Sequence, residues 1–481
     1  MYVLIVIGLV VVGLLVFLKS FKWTAAHCPT LNVTPVIGPI HTFLTRADDI
    51  NDWMYEQTLE LGPVWSFWIP GQPRFTMVCD PQDVEHLLKT NFDNYIKGPE
   101  FHERFHELLG NGIFNADGEA WRDQRKTAAK LFKVRNFRDN MAKVFLHHAQ
   151  KLLAILEGHA ERREPIDLHA YFHRVTLDSI GQIGFGVDID SLSDPNNTFA
   201  SAFDGSQAAV NIRFLSPLWK LRRLFHPQEK QFTSSIDYLN QFTNDIVKRR
   251  LSEPPERFDG SDLLSIFLQS AQETPTPEFL RDLVINFIIA GRDTTAQAMS
   301  WMFYELLRHP EELRAAQAEV DAVLGPNALP DYSTVKQLPR LSATFFETLR
   351  LHPSVPKDMK MAVQTDRIPS GTVVEKGTWL AYSPYVMGRL TSLWGPDALQ
   401  FKPDRFLDNP NPSPFKFTAF QAGPRICLGK SMAELEASII SSTILQHFAF
   451  TPCPDKPPVA YINSLTLQMR DGFWVIPTKR S

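Results

Sequence analysis

The chain has 481 residues, 44% of them apolar, and a net charge of −4 at neutral pH. That is enough apolar material for a large buried core, and too little excess charge to argue for nucleic acid as a partner. The four cysteines, Cys28, Cys79, Cys427 and Cys453, contain no Cys-x-x-Cys pair. They exclude a disulfide scaffold and fit a reducing compartment.

Residues 1–18 carry no charged side chain, and Lys19 and Lys22 follow at once. As a helix this run reaches about 27 Å, one hydrocarbon core. The basic flank lies on its C-terminal side, which keeps the body in the cytosol. A signal peptide cleaved near Ala25 and Ala26 is the competing reading. The missing basic n-region and the length of the apolar run favour an anchor. Residues 1–19 are therefore expected to be a single transmembrane helix. Residues 20–50, with Pro29, Pro35, Gly38 and Pro39, read as a linker. Residues 51–481 read as the folded body.

Apolar runs bounded by Pro, Gly or Asp predict strands at 64–69 and 75–79. Helices are expected at 81–89, 119–133, 137–157, 168–185, 229–251, 261–272, 277–308, 310–324 and 334–351. His309-Pro310 ends the long one, because proline clashes with a preceding helical turn. Strand-and-turn text fills 360–385, and an irregular stretch fills 392–427. One more helix covers 429–449, and C-terminal strands close the chain. No internal repeat or low-complexity segment occurs. The fold class is mainly α with small β-sheets. A long irregular stretch inside a compact body is usually functional, and this one ends at Cys427.

Residues 420–429 read Phe-Gln-Ala-Gly-Pro-Arg-Ile-Cys-Leu-Gly. For Cys427 to reach an iron, its backbone must lie flat against a macrocycle. Gly423 and Gly429 would remove side chains there and allow positive φ. The following helix would offer free N–H groups and a positive dipole end to a thiolate. Arg425 can pair with a haem propionate, and Phe420 can pack against the sulfur. This segment resembles the cytochrome P-450 family, whose Phe-x-x-Gly-x-Arg-x-Cys-x-Gly signature is met at all five fixed positions. The resemblance implies the P-450 fold, a haem-thiolate catalytic domain, haem b, and Cys427 as the axial ligand of its iron.

The resemblance also implies a buried network of Glu347, Arg350 and Arg405 that holds the cysteine loop. The Glu-x-x-Arg motif alone is weak, since Glu119/Arg122, Glu278/Arg281 and Glu311/Arg314 fit it too. The setting Glu-Thr-Leu-Arg-Leu-His-Pro selects Glu347 and Arg350. Pro403-Asp404-Arg405-Phe406 matches the family's second arginine motif. Trp121-x-x-x-Arg125 suits a shared propionate at i, i+4, although Trp219-x-x-x-Arg223 has the same spacing. The text at residues 112–122 resembles the family and selects Trp121 and Arg125. A further basic propionate partner is expected at Lys357 or Lys360.

Within 277–308 lies Ala290-Gly291-Arg292-Asp293-Thr294-Thr295. Gly, Asp and Thr are poor choices for a buried helix, and such conflict often marks a functional site. The expectation is a local widening of the helix. Ala290 and Gly291 would leave room for dioxygen, Thr294 would hydrogen-bond bound oxygen, and Asp293 would relay protons. The resemblance to the family's oxygen-handling pattern is direct, and it favours mono-oxygenation over peroxide rearrangement.

No flavin domain and no Gly-x-Gly-x-x-Gly fingerprint occur in the chain. The resemblance thus implies electrons from NADPH through a separate FAD/FMN reductase, with cytochrome b5 as a second candidate donor. It implies a single-pass protein of the endoplasmic reticulum membrane with a lipophilic substrate. Residues 290–296 and the region from Tyr385 to Phe406 look like the subgroup that hydroxylates fatty acids at the terminal carbon. Phe287, Ile288, Val355 and Leu465 are the expected pocket walls, all apolar. A sterol, terpenoid or xenobiotic substrate is the alternative, and a non-catalytic haem sensor is the reading outside enzymes.

Overall fold

The computed structural model describes residues 28–31 and 39–480, less 70–71, 132–134, 195, 216–218, 221–222, 224–225, 255–261, 271–274, 327 and 463. Ahead of these it describes Gly8 and residues 11–13. Most of the expected span at 1–19 and part of the 20–50 linker lie outside the described residues. Among the described residues no helix is long and apolar enough to cross a membrane.

The helices of eight residues or more are α1 (Ile50–Leu61), α2 (Pro99–Leu109), α3 (Gly118–Leu131), α4 (Arg135–Arg162), α5 (Leu168–Phe185), α6 (Thr198–Leu215), α7 (Pro227–Ser252), α8 (Leu263–Ser270), α9 (Pro277–Arg308), α10 (Pro310–Leu324), α11 (Pro339–Leu351) and α12 (Lys430–His447). Two segments differ from expectation. The expected helix at 81–89 is one α turn, Pro81–Glu85, continued by a π-helical turn, His86–Thr90. The expected helix at 334–351 begins only at Pro339, after a 3-10 turn at Val335–Gln337. Proline has no N–H to give the preceding turn and is suited to the first helical position. Helices α1, α2 and α6 were not expected.

The strands are β1 (Val64–Phe67), β2 (Phe75–Val78), β3 (Tyr95–Ile96), β4 (Ile166–Asp167), β5 (Asp358–Ala362), β6 (Asp366–Arg367), β7 (Val373–Val374), β8 (Trp379–Tyr382), β9 (Phe448–Pro452) and β10 (Trp474–Lys479). The largest sheet has the order β1-β2-β8-β5-β3. Its β2–β8 pair is parallel, and the other pairs are antiparallel. A second sheet has the order β4-β10-β9. Two apolar cores result. One fills the space among the helices, and the other packs α1 against the five-stranded sheet.

Helix α9 runs through the helical core and is about 48 Å long. Thr276 caps it, its hydroxyl accepting from Phe279 N at 3.2 Å, and Pro277 sits at the first position. Its most extensive packing is along α5. Helix α5 is itself pinned at its start by Asp167. That carboxylate accepts from His169 N at 3.1 Å, Ala170 N at 3.3 Å and Phe473 N at 2.8 Å. Gly186 ends α5 in the left-handed region, φ +65°.

Candidate active site

The irregular stretch after α11 delivers Cys427 to the start of α12. The loop closes on itself, with Cys427 N donating to Phe420 O at 2.8 Å and Ile426 N to Gly423 O at 3.0 Å. Gln421 adopts φ +62° without being glycine. Its amide Nε2 donates to Asp358 Oδ2 at 2.7 Å, and its Oε1 accepts from the Tyr382 hydroxyl. Those bonds hold a conformation that costs on the order of 1–3 kcal/mol. The Cys427 residue is solvent-accessible, yet its sulfur lies deep among protein atoms. Burial pushes the thiol pKa up. The Gly429 and Lys430 N–H groups and the charges of Arg125 and Lys430 pull it down.

Of the two loop glycines, only Gly423 takes the positive φ expected of both. Gly423 does take positive φ, +63°, but a Cβ there would lie 2.0 Å from the Leu88 carbonyl oxygen. Its smallness admits a neighbouring backbone. Gly429 has φ −86°, and a Cβ there would meet only the Cys427 sulfur at 3.9 Å. It is therefore not required for positive φ.

On α9, Phe287, Ala290, Gly291 and Thr294 are partly exposed, while Ile288, Arg292, Asp293 and Thr295 are buried. The exposed set has the spacing i, i+3, i+4, i+7 and forms one face. Val355 and Leu465 are also partly exposed. Ser354 ties its segment to this helix, its hydroxyl donating to Thr294 O at 2.6 Å. The loop holding Leu465 is tied to Ser354 in turn, through Leu467 N to Ser354 O at 2.9 Å. Ile288 is fully buried in the helical core and is no wall of an accessible pocket. One residue along a helix is a 100° turn, which carries it off the face Phe287 occupies.

The expected widening of α9 is absent, since the helix runs as unbroken α through residues 277–308. The Thr294 hydroxyl donates to Ala290 O at 2.7 Å, a back-bond within the helix. Gly291 also meets a packing demand. A Cβ there would lie 2.7 Å from Ile180 Cδ1 of α5. Asp293 is fully buried and turned from the exposed face, 3.1 Å from Arg292 Nη1 and 3.4 Å from His173 Nδ1. Burial alone would raise its pKa, but Arg292 and His173 outweigh burial and lower it.

Glu347 and Arg350 are both fully buried and form a two-pronged ion pair, each prong 2.7 Å. Arg350 also donates to Gly388 O at 2.5 Å, Ala398 O at 2.5 Å and Gln400 O at 2.9 Å. Arg405 stands 3.6 Å from Glu347 and donates to Trp394 O at 2.8 Å and Asp397 O at 2.6 Å. The trio thus fastens α11 to the irregular stretch. The competing Glu311/Arg314 pair lies in solvent, with side chains 86% and 65% exposed.

The family model for cytochrome P450 matches residues 28–473. The chain belongs to the cytochrome P450 family. It is 36% identical to cytochrome P450 704B1 of Arabidopsis thaliana, over 96% of this chain and 97% of that one. It is 37% identical to cytochrome P450 86B1 of the same plant, over 94% and 86%. It is 34% identical to cytochrome P450 monooxygenase cyp1 of Mycosarcoma maydis, over 93% and 74%. The crystal structure of cytochrome P450DA heme domain superposes with a TM-score of 0.83 at 24% identity, covering 94% of this chain and 98% of that one. That likeness shows the P450 fold, mainly helical with small sheets. Family membership makes the protein a haem-iron mono-oxygenase.

The residues around Cys427 fit a haem. The thiol supplies a soft ligand for iron. The propionates of a haem require cations, and these are in excess. Arg425 stacks on Trp121 with its guanidinium 4.4 Å from the ring centre. It donates to Asp117 Oδ1 at 2.7 Å and Ala116 O at 3.0 Å, while its buried Nε has no partner. Arg125 donates to Ile426 O beside the cysteine. The rival pair is engaged elsewhere, since Arg223 pairs with Glu107 and Trp219 lies under Arg213.

Sequence reasoning missed the cluster on the large sheet. Lys97 and Lys360 flank Asp358, at 2.6 Å and 2.9 Å. The Tyr382 hydroxyl oxygen lies 3.0 Å from the same carboxylate. Burial would raise the Asp358 pKa, but the two lysines hold it well below the usual range. Burial drops Lys360 to about 7 and Lys357 to about 8. Antiparallel pairing of β5 with β8 sets Asp358 opposite Tyr382, and a register signal of that kind is invisible in a linear reading.

Proposed function

We propose that this P450 hydroxylates long-chain fatty acids, at or near the terminal carbon, with Cys427 as the thiolate ligand of haem b. The supporting observation is the exposed face of α9 with apolar Phe287 and Ala290, and the partly exposed Val355 and Leu465 in segments tied to that helix through Ser354. A face with no charged side chain suits a hydrocarbon tail. The sequence at 290–296 and from Tyr385 to Phe406 resembles terminal fatty-acid hydroxylases.

Haem, when bound, supplies the activation of dioxygen and the oxidation of the C–H bond. The protein's own groups do the rest. Cys427 ligates the iron, helped by the N–H groups at the start of α12. Arg125, Arg425 and Trp121 hold the propionates, with Lys357 or Lys360 as a further cation. Gly423 and Gly429 shape the loop, and Phe420 shields the sulfur. Thr294, whose proton is already given to Ala290, accepts hydrogen bonds on the exposed face and positions water there. Asp293 relays protons to that face. Glu347, Arg350 and Arg405 keep the cysteine loop in place. Residues 1–19 anchor the protein in the endoplasmic reticulum membrane through the 20–50 linker. Residues 51–481 form the catalytic domain and face the cytosol. Electrons come from NADPH through a separate FAD/FMN reductase, with cytochrome b5 as an auxiliary donor.

Two spectra test the proposal. The reduced, CO-treated protein shows the red-shifted Soret band of thiolate ligation. Dodecanoic or hexadecanoic acid shifts the resting iron to high spin. Failure of every fatty acid to shift it removes the substrate assignment, and sterols, terpenoids and xenobiotics are then screened the same way.

A further inference from the structure

Behind the exposed face of α9 lies a cluster of buried polar side chains from α5, α6 and α9. Asp293 Oδ2, Arg292 Nε, Gln297 Oε1, His173 Nδ1 and both amide atoms of Gln207 are buried there without a partner at hydrogen-bonding geometry. Buried polar atoms of native proteins are satisfied by protein or by ordered water. A group of them in one place marks a site for internal water.

His173 occupies its centre. Its Nδ1 is 3.4 Å from Asp293 Oδ1, and its Nε2 is 3.0 Å from Gln297 Nε2. His169, one turn earlier, packs edge-on against it with ring centres 4.7 Å apart. His169 is partly exposed and bonds Ser300 Oγ at 3.0 Å through Nδ1. Asp293 also meets Gln207 and Arg292, and Arg292 reaches the half-exposed Asp204 at 2.5 Å. A guanidinium keeps its protons at any working pH, so that route carries charge but passes no proton.

We infer that His173 is the proton station that supplies Asp293, drawing on water that enters beside His169. The inference rests on the reading of Asp293 as the acid of α9. The ring takes a proton at Nε2 and releases one from Nδ1 to the Asp293 carboxylate. The N–H electron pair stays on the ring, and exchange with internal water, which takes the Nε2 proton and returns one at Nδ1, restores the first tautomer. Gln297 accommodates both ring states. Its NH2 group donates to a bare Nε2, and the amide turned over accepts from a protonated one. Imidazole is the side chain whose proton exchange falls at physiological pH. The charged and titratable groups facing His173 are His169 on its own helix and Asp293 and Arg292 on α9, with Asp204 beyond on α6. Glu436 of α12 lies farther along, against Ser179 and Thr295.

The test uses the full chain with an NADPH-dependent reductase and dodecanoic acid. If that acid leaves the spin state unchanged, a compound from the screen above that shifts it takes its place. His173→Gln and His173→Phe are compared with Asp293→Asn. In both His173 variants, product per NADPH falls roughly tenfold, less than a positioned acid's full contribution because water substitutes in part. The lost reducing equivalents appear as hydrogen peroxide, and the solvent deuterium isotope effect on product formation rises. Haem content, the CO spectrum and turnover driven by added hydrogen peroxide stay at wild-type levels. The His173→Gln/Asp293→Asn double variant falls no further than Asp293→Asn alone. Wild-type coupling in both His173 variants beside an uncoupled Asp293→Asn overturns the inference and leaves the Asp293 reading standing. Wild-type coupling in all three overturns both. Loss of haem or of peroxide-driven turnover in both His173 variants makes the residue structural and also overturns it.

Discussion

Arg350→Ala should produce a chain that folds poorly around haem. The guanidinium is fully buried and makes five hydrogen bonds, two to Glu347 and three to the carbonyls of Gly388, Ala398 and Gln400. Its removal leaves the Glu347 carboxylate with Lys402 N at 2.7 Å and the more distant Arg405. Breaking one member out of a buried pair costs on the order of 3–5 kcal/mol. With an unfolding entropy near 2.1 cal/mol/K per residue, a chain of this size loses about 3–5 °C of midpoint. The three freed carbonyls belong to the stretch that leads to Cys427, so the loss falls on the haem site as well. Arg350→Lys keeps the charge but not the fork, and should lie between Ala and wild type. The measurements are haem absorbance per protein and the thermal midpoint. Full haem occupancy with a midpoint within about 1 °C of wild type would refute the reasoning.

Other substitutions separate roles that look alike in the sequence. Gly423→Ala should lose haem, since its Cβ would sit 2.0 Å from Leu88 O and the left-handed backbone adds roughly 1–2 kcal/mol. Gly429→Ala keeps an ordinary backbone, φ −86°, and should lose less haem than Gly423→Ala; equal haem loss in the two variants contradicts this. Thr294→Ala should lower product per NADPH with little change in haem content, and an unchanged yield counts against its role on the exposed face. His148 gives a pH signature. Burial drops its pKa to about 4, against a bond from Gln182 that raises it. The unfolded chain takes the proton near pH 6.5 and the folded chain resists, so stability is full above pH 6.5 and falls as pH drops towards 4. The loss is on the order of 3 kcal/mol. His148→Gln should flatten the thermal midpoint over that interval, and a slope equal to wild type would exclude His148 as its source.

Cys427 was legible because its loop must satisfy several local demands within ten residues. Its neighbours were legible only by resemblance, since Glu-x-x-Arg and Trp-x-x-x-Arg each recur in the chain. Burial separates them physically, with Glu347 and Arg350 sealed in the core and Glu311 and Arg314 in water. Lys97, Asp358 and Tyr382 were not legible. Lys97 and Asp358 are 261 residues apart and meet only through the sheet's pairing. The glycines misled for a related reason. A glycine announces a close approach without saying what approaches, and here the partners are Leu88 and Ile180. The widening of α9 was inferred from polar residues in a buried helix, yet hydroxyls satisfied the helix without distorting it.

Helix α9 therefore works as a partition. Thr294 stands on the side with Phe287 and Ala290, and Asp293 on the side with His173, Arg292 and Gln297. Consecutive residues on a helix differ by 100°, so an Asp-Thr pair is the shortest sequence that places an acid on one side and an acceptor on the other. A reaction that needs protons beside a greasy substrate gains from this separation. Water and charge stay behind the helix, where Arg292 and His173 hold the carboxylate ionised. The hydrocarbon meets a face with no charge. Gly291 keeps the partition close to α5, since any side chain there would strike Ile180. The polar residues that made this segment a poor buried helix thus sit on the polar side or bond the helix itself, and apolar Phe287 and Ala290 lie on the exposed face.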